Sequence, residues 1–167
     1  SWAMYDLANQ FFALNVVSLY FVYWLTIEKH KSEIFYSLSF GISTFFVAIF
    51  GLILGAISDI TARRRPFLVF LTLLSIIFTT LMGIDNVFLG LIFFAIANFG
   101  CQTASVFYNA QLVNIAPINK IGLISGIGKM FSYAGAILAL LLIKPMGRYL
   151  TTFLPTGILF LVFSLPC

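Results

Sequence analysis

The spacing of charges constrains this chain more than any other feature. Asp6 and Glu28 are separated by 21 uncharged residues, and Glu33 and Asp59 by 25. Nineteen more run from Pro66 to Ile84, 34 from Asn86 to Asn119 and 19 from Tyr149 to Cys167, while Ile121 to Ile143 is broken only by Lys129. A helix that crosses a bilayer needs about 20 largely apolar residues, so the charges mark segment ends. The 34-residue run exceeds one span, and Pro117 marks where its helix must stop. Six segments follow, over roughly 4–27, 34–58, 66–84, 87–115, 121–143 and 149–167. The runs are far longer than the ~10-residue alternating segments of an outer-membrane barrel. Backbone groups in lipid must then be satisfied within each helix. The expected fold is an all-α, integral, multi-pass membrane protein, with 1–167 forming a single six-helix transmembrane bundle.

Composition excludes the other broad classes. The chain is 62% hydrophobic and 8% charged, with a mean hydropathy of +1.10. A soluble domain is about 45–50% apolar and about 25% charged. Phe alone occurs 20 times against 14 charged residues, too few to cover a soluble surface of this size. A soluble enzyme, a nucleic-acid binder and a secreted disulfide scaffold are all excluded on this ground. The net charge of +4 sits in short loops and fits an anionic leaflet rather than nucleic acid. Cys101 and Cys167 show no C-x-x-C or C…H spacing, and His30 is the only histidine, so neither a metal site nor a cofactor is expected. The chain opens on Ser1 and stops at Cys167 within an apolar run, and is read as a fragment. Lys and Arg counted by alternate loops give four on each side, so the positive-inside rule does not decide orientation. The densest cluster, Arg63-Arg64-Arg65, favours a cytoplasmic second loop and cytoplasmic termini.

Polar residues are shared unevenly among the segments. The first carries Asp6, Asn9 and Gln10 at i, i+3 and i+4, with Tyr20 and Trp24 on roughly the same side. The fourth carries Asn98, Gln102, Ser105 and Asn109 at i, i+4, i+7 and i+11, a continuous stripe. The third offers only Thr72, Ser75, Thr79 and Thr80, and the sixth only Thr151, Thr152, Thr156 and Ser164. Small hydroxyls can bond back to their own helix and face lipid at little cost; amides do so less easily. Segments one and four are therefore expected to face a polar interior, and three and six to lie outermost. A single amide is better explained as interhelical glue, whereas a four-residue stripe is better explained as the wall of a water-accessible cavity.

The fifth segment adds a charge. Gly122, Gly126, Lys129 and Tyr133 share a face, with Ser125 and Ser132 beside it. A lysine inside a span costs at least about 2.5–3.5 kcal/mol on insertion scales. It therefore binds a solute carboxylate or phosphate, pairs with Asp6, or snorkels to the interface from about 13 Å beyond Lys120. The expected solute path comprises Asp6, Asn9, Gln10, Asn98, Gln102, Ser105, Asn109, Lys129 and Tyr133.

Between the second and third segments the sequence reads Gly55-Ala-Ile-Ser-Asp59-Ile-Thr-Ala-Arg63-Arg64-Arg65-Pro66. Gly55 permits close helix approach, and Asp59 can pair with Arg63 at i+4 or sit at the positive end of a helix. This resembles the loop signature of the major facilitator superfamily, with Ile60 in place of a basic residue and Ala62 in place of Gly. Trp2-Ala-Met-Tyr5-Asp6-Leu-Ala-Asn9 is similar to the opening of the vacuole effluxer (autophagy-related amino-acid effluxer) family within that superfamily. Phe107-Tyr108-Asn109-Ala110, Ser125-Gly126-x-Gly128 and Tyr133-x-Gly135 are similar to its later blocks. Val113, Asn114, Lys129 and Ser132 depart from those blocks; an aromatic residue is usual at the position of Lys129.

The resemblance implies a transporter of two six-helix halves with alternating access, of which this chain is the N-terminal half and the C-terminal half a missing partner. It also implies that helices one and four line the cavity, and that Gly55, Asp59, Arg63 and Arg64 form a conformational-switch loop. The expected function is a secondary active transporter, not an enzyme, moving a small solute. Amino acids are the class the resemblance implies, in a bacterial inner membrane or a eukaryotic vacuolar one. Asp6 is the one acidic candidate for proton coupling. A non-transporting scaffold or self-associating half is the alternative, for which Gly51/Gly55 and Gly122/Gly126 supply G-x-x-x-G surfaces. A lipid phosphotransferase would need several carboxylates around a metal, and no other acid lies at helical spacing from Asp59.

Overall fold

The computed structural model describes residues 2–61, 64–84, 86–143 and 152–165, with the side chains of residues 2, 113–115 and 118 outside that description. The described residues contain no strand. Helix α1 runs without a break over 2–28, and is followed by α2 (Glu33–Thr61), α3 (Arg64–Leu81), α4 (Val87–Ile115), α5 (Ile121–Ile143) and α6 (Phe153–Ser164). The first five are long and apolar enough to cross a membrane; α6 spans 12 residues. The protein is a helical, multi-pass membrane protein.

Local chemistry sets the breaks. His30 ends the first helical run in the left-handed region at φ 49°. Asn86 caps α4, its Oδ1 accepting from Phe88 N at 3.0 Å and Leu89 N at 3.2 Å. Ala116 is extended ahead of Pro117, the conformation a following proline imposes.

Helix α1 is not uniformly α-helical. Trp2–Phe12 is α-helical, Ala13–Tyr20 is π-helical, Phe21–Tyr23 is α-helical and Trp24–Glu28 is π-helical again. Its wide turns, with i→i+5 hydrogen bonds, are tied by side chains. Ser18 Oγ donates to Ala13 O at 3.0 Å, and Tyr36 Oη of α2 donates to Val17 O at 2.7 Å. Within these turns Asn15 is 1% exposed and neither of its amide atoms has a partner among the described residues; the indole nitrogen of the buried Trp24 also lacks one.

Packing proceeds through neighbours that are not sequential. α4 is held by α2 and α3, α1 by α5 and α6, and α3 also packs on α6. The main core joins Phe12, Phe21 and Trp24 of α1 to Phe94 of α4 and to Phe153 and Phe160 of α6. Phe21 and Phe94 stack with centroids 4.5 Å apart. Two glycines permit close crossings. A Cβ at Gly135 would stand 2.6 Å from Leu7 O, and one at Gly100 would stand 2.8 Å from Leu71 O. In lipid, association rests on such packing rather than on expelling water.

The hydroxyls of α3 and α6 do not turn to lipid as expected. Thr72, Ser75, Thr79 and Thr156 are buried, and Thr72, Thr79 and Thr156 donate back to the carbonyls of Leu68, Ser75 and Thr152. Being small, they suit the crossing faces, while Val69, Phe70, Ile77, Leu154, Ile158 and Val162 form the exposed apolar sides. Tyr20 and Trp24 also depart from expectation. Trp24 is fully buried in the core and Tyr20 packs against it, because π-helical turns rotate less per residue than α-helical ones and carry both residues off the face of Asp6, Asn9 and Gln10.

An unpaired buried amide costs about 1–3 kcal/mol. Asn15→Leu is therefore expected to raise the thermal unfolding midpoint of the full-length protein in detergent. Gly135→Ala, which drives a methyl into the α1 backbone, is expected to lower it by an overpacking cost of about 1–3 kcal/mol.

Candidate functional site

The α-helical start of α1 keeps Asp6, Asn9 and Gln10 in phase, and each meets a different partner. Gln10 Nε2 donates to Ser132 Oγ of α5 at 2.6 Å. Asn9 Nδ2 donates to Ser105 Oγ of α4 at 3.3 Å, and Cys101 Sγ donates to Asn9 Oδ1 at 2.7 Å. Asp6 Oδ1 lies 3.9 Å from Lys129 Nζ of α5, and the two side chains are 10% and 63% exposed. Ser105 and Gln102 are half-buried, and Asn109 and Tyr133 are exposed. The structure thus brings Asp6, Asn9, Gln10, Ser105 and Lys129 together on facing stretches of α1, α4 and α5.

The stripe on α4 divides along its length. Asn98 is 1% exposed and donates to Ser43 Oγ of α2 at 2.6 Å. Gln102 bonds Thr44 Oγ1 at 3.3 Å and Asn98 Oδ1 at 3.1 Å. The N-terminal part of the stripe therefore lies under α2 and serves as interhelical glue, whereas its C-terminal part lies beside α1 or open. Asn98 is thus a seam residue rather than a wall residue in this bundle. The cause is geometric: α1 and α2 lie on different sides of α4, so Cys101 meets Asn9 of α1 while its neighbour Gln102 meets Thr44 of α2.

The second loop is tied down by a residue neighbouring the expected one. Arg63 lies outside the described residues. Arg64 Nη2 bonds Asp59 Oδ1 at 2.7 Å, and its Nη1 donates to Ala110 O of α4 at 2.6 Å. A guanidinium presents several donors in one plane, so a single arginine clamps the end of α2 to the C-terminal part of α4. Gly55 makes no close helix contact here, since nothing lies within 4 Å of where its Cβ would stand.

Sequence reasoning missed several polar partners. Ser43, Thr44 and Ser132 complete amide bonds, and Cys101 completes Asn9. Tyr5 stacks on Tyr108 at 4.8 Å and shares a 2.8 Å hydrogen bond with Thr72. Their one sequence signal is a hydroxyl or thiol on a segment facing an amide. A groove of about 1080 Å³ between α2 and α3 over α4, lined by Phe35, Phe46, Phe50, Phe67, Phe70 and Phe99 among others, contains none of the expected path residues. Its apolar lining suits hydrocarbon better than a polar solute.

A helical membrane bundle with amides and one ion pair on facing helices is the class this geometry defines. Residues 18–118, more than half of the chain, match the family described as vacuole effluxer Atg22 like, and the chain belongs to that family. The matched region includes the Gly55–Pro66 loop and Phe107–Ala110, and leaves Asp6 and Lys129 outside it. An uncharacterized protein of Aquifex aeolicus (strain VF5) is 33% identical over 99% of this chain and 43% of its own length. The uncharacterized MFS-type transporter YxiO of Bacillus subtilis (strain 168) is 27% identical over 81% of this chain and 34% of its own. The chain spans less than half the length of either. No solved structure matches it significantly.

A wet wall and a dry seam respond differently to a water-borne thiol reagent. In a full-length protein lacking its own cysteines, Asn109→Cys and Tyr133→Cys are expected to react with a charged methanethiosulfonate. Asn98→Cys and the lipid-side Phe70→Cys are expected to resist it; equal labelling of Asn98→Cys and Asn109→Cys would contradict the division of the stripe.

Proposed function

We propose that the full-length protein is a secondary active transporter of the major facilitator type, in which this chain supplies one six-helix half. The observation that carries the reading is a set of polar groups on α1, α4 and α5 at membrane depth: the nearly enclosed Asp6 and the partly or fully exposed Asn9, Gln10, Gln102, Ser105, Asn109, Lys129 and Tyr133. Polar and ionisable residues inside a span mark solute and ion paths. Family membership and the name of the Bacillus subtilis relative support the same class. Small solutes are the cargo, with amino acids as the class implied by the resemblance of Trp2–Asn9 and the later blocks. Alternating access by rocking of the two halves is the mechanism this architecture suits, with the Asp59–Arg64–Ala110 clamp stiffening one end of this half.

The second half has a place to pack. α2 and α5 are the least buried of the five long helices. Gly51 and Gly55 on α2, and Gly122 and Gly126 on α5, have nothing within 4 Å of a Cβ position. Small-xxx-small faces allow close helix approach in lipid, so these two faces receive helices from the remainder of the protein.

Uptake of a mixture of labelled amino acids by proteoliposomes of the full-length protein, under an imposed proton gradient, tests the reading. Flux above protein-free vesicles is expected, and its absence for every amino acid removes the substrate class. Gly51→Leu and Gly126→Leu are expected to destabilise the full-length protein by an overpacking cost of about 1–3 kcal/mol, read as a lower unfolding midpoint. No change would mean that the two faces meet lipid instead.

A further inference from the structure

Lys129 is, among the described residues, the only lysine or arginine more than one turn from the end of a membrane helix. It lies eight residues into α5, about 12 Å at helical rise. An ammonium offers three donors, and an unmet charge is costly at that depth. Yet its one partner among the described residues is Asp6 at 3.9 Å, beyond hydrogen-bond distance. The two side chains differ in freedom: the Asp6 carboxylate is nearly enclosed, whereas the lysine arm is mostly exposed. Beside them the Gln10 and Asn9 amides are held by Ser132 and Ser105, and the exposed Tyr133 sits one turn further along α5.

We infer that Lys129 is the anion anchor for the translocated solute, and that the anion it takes is a singly charged carboxylate. The inference rests on the transporter reading and adds a specificity-determining residue to it. With the site empty, Asp6 is the resting counter-ion that keeps the ammonium charged at membrane depth. With solute bound, the exposed arm turns from Asp6 to the solute carboxylate and gains the hydrogen bonds that the 3.9 Å separation denies it. A phosphate monoester is disfavoured by charge. It carries about −1.5 to −2 at pH 7, must lie beside the Asp6 carboxylate, and finds no second free cation on this wall among the described residues, where Arg64 is committed to Asp59 and Ala110.

The test uses the full-length protein, in detergent for binding and in proteoliposomes for flux. The probes are an equimolar mixture of neutral L-amino acids, the same mixture as C-terminal carboxamides, and glycerol phosphate. The acids are expected to raise the unfolding midpoint of the wild type and of Lys129→Arg, whereas the carboxamides and glycerol phosphate leave it unchanged. Lys129→Gln is expected to weaken acid binding about 10- to 100-fold, the value of a charged hydrogen bond. Asp6→Asn, which removes the repelling carboxylate, is expected to gain a response to glycerol phosphate; no gain overturns the role given to Asp6.

The anchor is overturned if the carboxamides stabilise as well as the acids, if no acid stabilises the wild type, or if Lys129→Gln binds acids unchanged. Should Lys129→Gln fail to elute as a monodisperse protein, the comparison of acid with carboxamide on the wild type decides. Flux of all the probes alike removes the anchor and leaves the transporter reading standing. Lysine-dependent acid binding without flux of any probe retains the anion site and removes transport.

Discussion

A polar atom inside a bilayer has no water to fall back on, so it must be met by another group of the protein or by solute. The arrangement of this bundle follows from that constraint. Asn98 finds Ser43, Gln102 finds Thr44, Asn9 finds Ser105 and Cys101, and Gln10 finds Ser132. Each bond joins two helices, and each involves α1 or α4. Interhelical hydrogen bonds of this kind contribute about 0.6–2 kcal/mol apiece, and they also fix rotation, since an amide turned toward lipid loses its partner. α4 therefore has one workable orientation between α2, α3 and α1, and the other helices are arranged around it.

Much of this was legible in the spacing of charges. Glu28, Glu33, Asp59, Arg64 and Lys120 mark helix ends because a charge within the slab is costly, and a proline at 117 and an asparagine at 86 sharpen two of the boundaries. The polar grouping on α1 and α4 was legible too, because an α-helix keeps residues three and four apart on one face. Tyr20 and Trp24 were not, because that rule assumes an unbroken α-helical phase. No residue in Ala13–Tyr20 announces a π-helix, and the phase error accumulates past it until Trp24 is in the core. Nor does periodicity say which neighbour covers a stripe. Asn98 and Asn109 occupy one face of α4, yet one is sealed by α2 and the other is open.

The charged groups illustrate how chemistry and position combine. Asp59 at i+4 from Arg63 reads as a helical pair, but the structure gives Asp59 to Arg64, whose second arm also reaches Ala110 O. Such a bridging arginine links three helices in one interaction, which an i+4 pair on a single helix cannot do. The carboxylate itself is mostly exposed, so the pair alone contributes little in water-like surroundings. The bond to the α4 carbonyl is the better-sheltered arm. By contrast, Asp6 and Lys129 face one another without closing to hydrogen-bond distance, leaving both groups with capacity to spare. One pair is a fastener, and the other is unsaturated.

Helix α1 brings the polar wall and the bundle core into one element. Its α-helical start carries Asp6, Asn9 and Gln10, and its π-helical continuation carries the two buried polar side chains, Asn15 and Trp24, whose hydrogen bonds are unmet. Wide turns and an unpaired buried amide are both unfavourable, so they persist only where surrounding contacts impose them. Those contacts are identifiable: Tyr36 of α2 donates to Val17 O, Ser18 bridges to Ala13 O, and Phe21 stacks on Phe94 of α4. The register of α1 is thus held in part from α2, the least buried long helix of the bundle. A displacement of α2 that withdrew the Tyr36 hydroxyl would remove one tie on the π-helical turns, and a return toward α-helical winding would rotate the far half of α1 relative to Asp6, Asn9 and Gln10. The polar wall and α2 are therefore mechanically linked through α1, in addition to the direct bond from Gln102 to Thr44.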